Sequence, residues 1–242
     1  MGSDLTRRSF IGAAGGVVAA GASAGMATAN ANAAKAGDAA KPAAVKILGI
    51  ATSLRPGKTT ATSLKICLEA AKEYNPECVA IELIELAGMK IPAGPAAGLP
   101  LEPGEKDDFP SLMAKLTDPQ LAGLIIATPV YFGNMSSLCK AFLERLMACR
   151  KANFALSNKV AGVVAVGGAR NGGQEQTIRS VHTSLFAQEV IIVGDGRPTA
   201  HWGGAVWNDK EKPDVTADET GLASVRNLGR RVAEVALRMA RA

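Results

Sequence analysis

What the chain lacks narrows it first. Cys67, Cys78, Cys139 and Cys149 form no C-x-x-C pair, so neither a zinc site nor an iron–sulfur cluster has support in their spacing. Cys139 and Cys149 fall on one expected helix, about 15 Å apart along its axis, too far to bridge each other. Buried free thiols are the reading that remains. No basic tract with interleaved aromatics occurs, and part of the +5 formal charge sits near the N-terminus (Arg7, Arg8, Lys35 and Lys41 against Asp4 and Asp38), which argues against a nucleic-acid partner. Long apolar runs are missing too. The stretch from Ile11 to Ala29 is too rich in Gly and too weakly apolar for a membrane anchor.

What is present at the N-terminus is a twin-arginine pattern, Thr6-Arg7-Arg8-Ser9-Phe10-Ile11, followed by small-residue triplets between Ala27 and Ala33 that suit cleavage. The expected organisation is an export signal over residues 1–34, a disordered tether over 35–44 and one domain over 45–242. The implied partner is the twin-arginine translocase and the implied location the periplasm. That pathway carries folded proteins, many of them loaded with a cofactor.

From Val45 onward, short apolar runs alternate with helical patterns. Val45–Ala51, Val79–Leu86, Leu121–Ala127, Lys159–Val166 and Glu189–Val193 read as strands, the inner ones apolar throughout, as buried parallel strands are. Glu82 and Glu85 place the second at a less buried position. Five such strands with helices between them predict an α/β, doubly wound parallel sheet, most simply wired in the order 2-1-3-4-5 of flavodoxins. The crowded Pro and Gly of Gly88–Pro110 read as an insertion or lid, Gly194–Ala217 as an irregular excursion, and Asp218–Met239 as the last helix.

Three loops stand out at the carboxyl ends of strands. Thr52–Thr60 is dense in hydroxyls, with a Gly and two cations ahead of a helix N-terminus, which is a recipe for holding phosphate. One reading is a Walker loop, since Gly57-Lys58-Thr59 matches its second half; its first glycine would fall on Thr52, and no later strand ends in the required aspartate. The other is a flavodoxin-type loop in which Ser53, Thr59 and Thr60 wrap a single terminal phosphate. The second loop, Thr128-Pro129-Val130-Tyr131-Phe132-Gly133-Asn134-Met135, offers a stiff turn, a close backbone approach and two aromatic faces to a flat ligand. It also reads as an ordinary connection whose aromatics cap the core. Ser136 caps a helix running to about Cys149, with Leu138, Phe142, Leu146 and Cys149 inward. The third loop, Gly167–Gly173, has more glycines than a surface turn needs and suits contact with a planar ligand.

The run Pro129–Ser136, the later Gly172-Gly173-Gln174-Glu175-Gln176-Thr177-Ile178 and the loop Ser53–Thr60 together resemble the flavodoxin-like NAD(P)H-dependent FMN reductases, over nearly all of Val45–Met239. The branches most similar are the quinone reductases once called tryptophan-repressor-binding proteins and the iron–sulfur flavoproteins. The resemblance implies FMN as cofactor and NAD(P)H as substrate. Its phosphate would fall to Ser53, Arg55, Lys58, Thr59 and Thr60, and its ring to Pro129, Val130, Tyr131, Phe132, Gly133 and Asn134 through backbone N–H groups and the two aromatic rings. Gly168, Ala169, Arg170, Gly172 and Gly173 would close the other edge. Tyr131 and His201 are candidates for substrate contact.

Three departures accompany the match, one of them the differing segment around His201 and Trp202. The cluster cysteines of the iron–sulfur flavoproteins are missing from Gly88–Pro110, which implies that the cluster is absent. Ala187-Gln188 stands where the quinone reductases carry a histidine pair. The implied activity passes electrons from NAD(P)H, or another reductant outside the cytoplasm, to a quinone-like acceptor, in a homodimer or tetramer. An exported FMN electron carrier without nicotinamide specificity is the alternative, although carriers of that kind are usually acidic. A third reading is an interaction module that keeps the fold and binds no flavin.

Overall fold

Each inner strand is apolar because it is covered on both faces. In the computed structural model, which describes residues 44–208 and 214–241, β1 (Val45–Ala51), β2 (Val79–Glu85), β3 (Leu121–Pro129) and β4 (Val160–Gly167) run parallel in the order β2-β1-β3-β4. All lie within the unit running from Ala40 to Ala242. Side chains alternate between faces: Val45, Ile47 and Ala51 join one core, while Leu48 and Ile50 join the other. The second strand is the edge strand and only half-buried, as its glutamates predict.

The fifth position departs from expectation. Instead of one strand ending at Val193, two short strands share the lane beside β4. β5 (Ile191–Ile192) pairs with Val160–Ala161, and β6 (Gly204–Trp207), inside the stretch expected to be irregular, pairs with Val164–Gly167. The chain leaves the sheet at Val193 and returns at Gly204. Six strands thus fill the five positions of the order 2-1-3-4-5.

Helices α1 (Thr59–Tyr74) and α6 (Glu219–Met239) cover one face; α2 (Pro110–Leu116), α3 (Ser137–Arg145), α4 (Met147–Lys151) and α5 (Gln174–Phe186) cover the other. The helix expected to run from Ser136 to Cys149 breaks at Leu146, but its inward residues Leu138, Phe142, Leu146 and Cys149 are all buried. Close seating of α1 and α6 depends on small residues beneath them. A Cβ on Gly49 would come within 2.7 Å of Leu68, and Cβ atoms on Gly123 and Gly162 within 3.0 Å of Val232. At Gly229 it would run into the Cys67 carbonyl, where α1 and α6 touch. Asp218 ties the last helix to the sheet: one carboxylate oxygen accepts from the Gly221 N–H at 3.0 Å and the other from the Trp207 N–H at 3.0 Å.

The segment 88–110, expected as an insertion or lid, is anchored where it rejoins the fold. Arg145, on α3, grips Asp107 in a two-pronged ion pair at 2.9 and 2.7 Å and donates to the Pro92 carbonyl at 2.9 Å. Its guanidinium also lies 4.7 Å from the centre of the buried Phe109 ring. Both members of the pair are nearly buried, with side chains 8% and 10% exposed.

Asp107→Ala is expected to lower the unfolding free energy at pH 7 by about 3 kcal/mol, the scale for stranding a buried guanidinium. The Arg145 guanidinium holds the Asp107 carboxyl below its ordinary range, so this stabilisation is whole above about pH 4 and lost as pH falls through the lowered folded value. In urea melts the gap between wild type and variant should hold from about pH 8 to 5 and close below about 4. A gap already closing near pH 6 would show that Asp107 does not supply it.

Candidate functional site

The three unusual loops meet at the carboxyl edge of the sheet, and a small buried hydroxyl network holds the first two in place. Thr52, leaving β1, donates to the Ala127 carbonyl of β3 through its N–H at 2.8 Å and its Oγ1 at 2.9 Å. Ser136 donates from Oγ to the Thr52 carbonyl at 2.7 Å, while the same oxygen accepts from the Cys139 N–H at 3.0 Å and caps α3. Its own N–H reaches Thr128 Oγ1 at 3.2 Å. All three hydroxyl residues are completely buried.

In the first loop the helix α1 begins without a cap. Lys58 precedes it, no side chain accepts from its first turn, and that turn carries no acid. The N–H groups of Thr59, Thr60 and Ala61 precede the first bond, made by the Thr62 N–H to the Lys58 carbonyl at 3.0 Å, and so lack helical partners. The residues Thr59 and Thr60 are buried, and neither hydroxyl bonds another described residue. By contrast α3 and α6 are both side-chain capped. Free N–H groups, free hydroxyls and the exposed cations Arg55 and Lys58 make this end suited to a phosphate dianion. Ser53 accepts from the Arg55 N–H at 3.1 Å and shapes the turn, and the Gly57 N–H is taken by the Glu85 carboxylate at 2.8 Å.

The second loop folds into a tight turn. Tyr131 and Asn134 exchange both backbone bonds, at 2.8 and 3.0 Å, and the two residues between them have positive φ, 50° at Phe132 and 73° at Gly133. This corrects the expectation that backbone N–H groups from Pro129 to Asn134 face a ligand. Pro129 has none, the Val130 N–H bonds the Val166 carbonyl at 2.9 Å, and those of Tyr131 and Asn134 close the turn. The N–H groups of Phe132 and Gly133 remain available. A left-handed Phe is strained, and this one is fully exposed, so packing does not account for it. Nor does it cap the core. Tyr131 is also exposed.

The third loop rests against the second. Gly173, at φ 96°, is so near that an added Cβ would lie 3.0 Å from the Gly133 Cα. Gln174 organises this loop and was not among the expected site residues, although it stands in the motif. Its buried side chain accepts from the Gly172 N–H at 2.9 Å and donates to the Ala169 carbonyl at 2.6 Å and, more loosely, to that of Val206 at 3.4 Å. A Gln directly after two glycines at a helix start was the signal available. Gly168, Ala169 and Arg170 are exposed, and the Arg170 guanidinium stacks 5.7 Å from the Trp207 ring.

His201 borders the third loop alone, and the remaining candidates stand apart. His201 lies in the excursion between β5 and β6, its N–H and its Nδ1 (3.2 Å) both on the buried Asp195 carboxylate. It shares the lining of a small cavity of about 150 Å³ with Arg170 and makes no hydrogen bond to the loops. Ala187-Gln188 follows the far end of α5, roughly 20 Å along that helix from Gly173, so it is no counterpart of a histidine pair at the site. The four cysteines are buried. Among the described residues, no three groups able to bind a metal converge, so these residues do not fit an iron–sulfur cluster.

Residues 45–201 match the NADPH-dependent FMN reductase family. The chain is 38% identical over 194 residues to an iron–sulfur flavoprotein of Methanocaldococcus jannaschii, spanning 79% of this chain and 97% of that one. It is 35% identical over 126 residues to an NAD(P)H dehydrogenase (quinone) of Paracoccus denitrificans, spanning 47% and 60%. Among solved structures, a WrbA-like flavodoxin from Agrobacterium tumefaciens superposes with a TM-score of 0.53 at 18% identity, over 81% of this chain and 99% of that one. An oxidoreductase from Corynebacterium diphtheriae does so with a TM-score of 0.58 at 17% identity, over 81% and 98%.

Since Phe132 packs on nothing, Phe132→Gly should leave the unfolding free energy within about 1 kcal/mol of wild type, relief of strain offsetting chain entropy. Its affinity for FMN is expected to fall about tenfold, the scale of one aromatic face and its positioning. Equal affinity by fluorescence titration would remove the ring from the site.

Proposed function

The chain belongs to the NADPH-dependent FMN reductase family, and on that premise we propose that it carries electrons from NAD(P)H to a quinone-like acceptor. It is an FMN-dependent oxidoreductase. The observation that carries the reading is the uncapped start of α1, with the unengaged hydroxyls of Thr59 and Thr60, next to a strained and exposed aromatic turn. The first suits a terminal phosphate and the second a flat ring, and FMN has both.

Bound FMN supplies hydride acceptance and onward electron transfer. The residues of the chain bind and orient. Ser53, Thr59 and Thr60 hold the phosphate with the free N–H groups of α1, and Arg55 and Lys58 add attraction from the rim. The N–H groups of Phe132 and Gly133 donate toward the ring system, and the faces of Tyr131 and Phe132 exclude water from it. Gly173 lets the second and third loops close on each other, and Gln174 keeps the third in shape. Tyr131, exposed on the turn, would touch the acceptor. The quinone acceptor is supported by the relative from Paracoccus denitrificans, a quinone-reducing dehydrogenase by name.

Export belongs to the same proposal. Its support is the twin-arginine pattern at Arg7-Arg8; the signal and most of the tether, residues 1–43, lie outside the described residues. Assembly into a homodimer or tetramer is part of the proposal too, resting on the family resemblance, with the excursions 88–110 and 194–217 contributing.

The purified protein should show flavin absorption that bleaches anaerobically with NADH or NADPH and returns on adding a benzoquinone. Flavin bands indifferent to both nicotinamides would instead make it an electron carrier. Thr60→Glu should weaken FMN binding by at least about a hundredfold through charge repulsion, and Thr60→Val by about tenfold through one lost hydrogen bond. Unchanged affinity in both, with the fold intact by circular dichroism, would sink the phosphate assignment.

A further inference from the structure

The break between β5 and β6 creates a second cavity that the flavin reading does not use. The excursion that leaves the sheet at Val193 turns over the buried Asp195 and returns past His201 and Trp202. Between it and the second half of α5 lies a cavity of about 740 Å³. That falls within the roughly 300–1,000 Å³ of small-molecule sites. His182 lies nine residues beyond Gly173, roughly 14 Å along α5, so this side of the cavity lies away from the three loops, while His201 also lines the smaller cavity that Arg170 borders.

Its lining is unusual for this chain. Both histidines, His182 and His201, border it. His182 is only 6% exposed, and its Nε2 has no hydrogen-bond partner among the described residues. Burial pushes its pKa down to about 4, so near neutral pH the ring is uncharged and can donate or accept one hydrogen bond. An unpaired buried nitrogen is destabilising, and a leucine would pack there without that cost. Trp202 and Phe186 are 52% and 66% exposed at the same place. The Arg179 guanidinium sits 5.2 Å from the centre of the Trp202 ring and makes no ion pair among the described residues. An unpaired cation on an aromatic shelf fits a ring that carries negative charge.

We propose that this cavity is a second ligand site, for a planar aromatic carboxylate whose ring packs on Trp202 and Phe186 and whose carboxylate pairs with Arg179. His201, held by Asp195, borders the same cavity.

The test is calorimetric titration of 2-naphthoate into the FMN-loaded protein. One saturable site per chain is expected, with neutral 2-naphthalenemethanol binding at least about tenfold more weakly. Arg179→Gln and Trp202→Leu should each weaken naphthoate by at least about tenfold, Arg179→Lys should restore part of the loss, and Phe132→Gly should leave it unchanged. Absence of saturable binding overturns the proposal, as does an affinity indifferent to Arg179→Gln in a variant with native circular dichroism. Loss of naphthoate binding in Phe132→Gly would place the ligand on the flavin loops and overturn it as well. Self-association that Trp202→Leu abolishes, without naphthoate binding, would make the face a contact between copies and would likewise overturn the ligand site.

Discussion

The site depends on how Ser136 is bonded. Where parallel strands end, their last carbonyl and N–H groups lose sheet partners and must find others or remain unpaired and buried. The Ser136 hydroxyl meets two such needs at once: it donates to Thr52, at the end of β1, and accepts from the first turn of α3. Because Thr52 and Thr128 are tied into the same network, the loop after β1 and the aromatic turn are held in one fixed relation. A hydrophobic contact could not do this, having no direction; a chain of buried hydrogen bonds has one at each link.

The division of labour among helix starts follows from the same accounting. In α3 and α6 a side chain satisfies the first turn, through Ser136 and Asp218. In α1 and α5, which face the site, the first turn is left without a side-chain cap. An uncapped start gives up stability of about 1 kcal/mol and leaves donors for an anion. Strain is placed in the same region: Phe132 holds a left-handed conformation on a turn closed by two short backbone bonds. The rigid parts lie beneath, where glycines at 49, 123 and 162 let α1 and α6 sit close on the sheet and the Arg145–Asp107 pair ties down the segment 88–110.

Much of this was legible in the residues in order. Strands declare themselves where apolar residues run unbroken between turn formers, as in Val45–Ala51 and Leu121–Ala127, because such runs are stable only between two covered faces. Ser136 ahead of Leu138 and Phe142 marks a capped, one-sided helix because cap and face are both set within two turns. The three loops could be picked out by composition, since glycine and hydroxyl residues act on the backbone beside them.

What sequence order could not express was pairing across distance. Nothing local to Gly204–Trp207 says that it takes up the lane that Ile192 leaves; that strand forms because β4 offers unpaired edge groups beyond Ala161. Phe132 gives no local hint of positive φ, since its own preference is against it, and so the turn that consumes the Tyr131 and Asn134 N–H groups was invisible. The bond from Arg145 to Asp107 and the meeting of His182 with Trp202 likewise join residues far apart in the chain. The sequence alone determined the alternation of elements, the face each helix buries and which loops at the strand ends are unusual, because these rest on rules a few residues long. The tertiary structure decided which backbone groups stay free and which side chains converge, because those depend on which distant segments come to lie side by side.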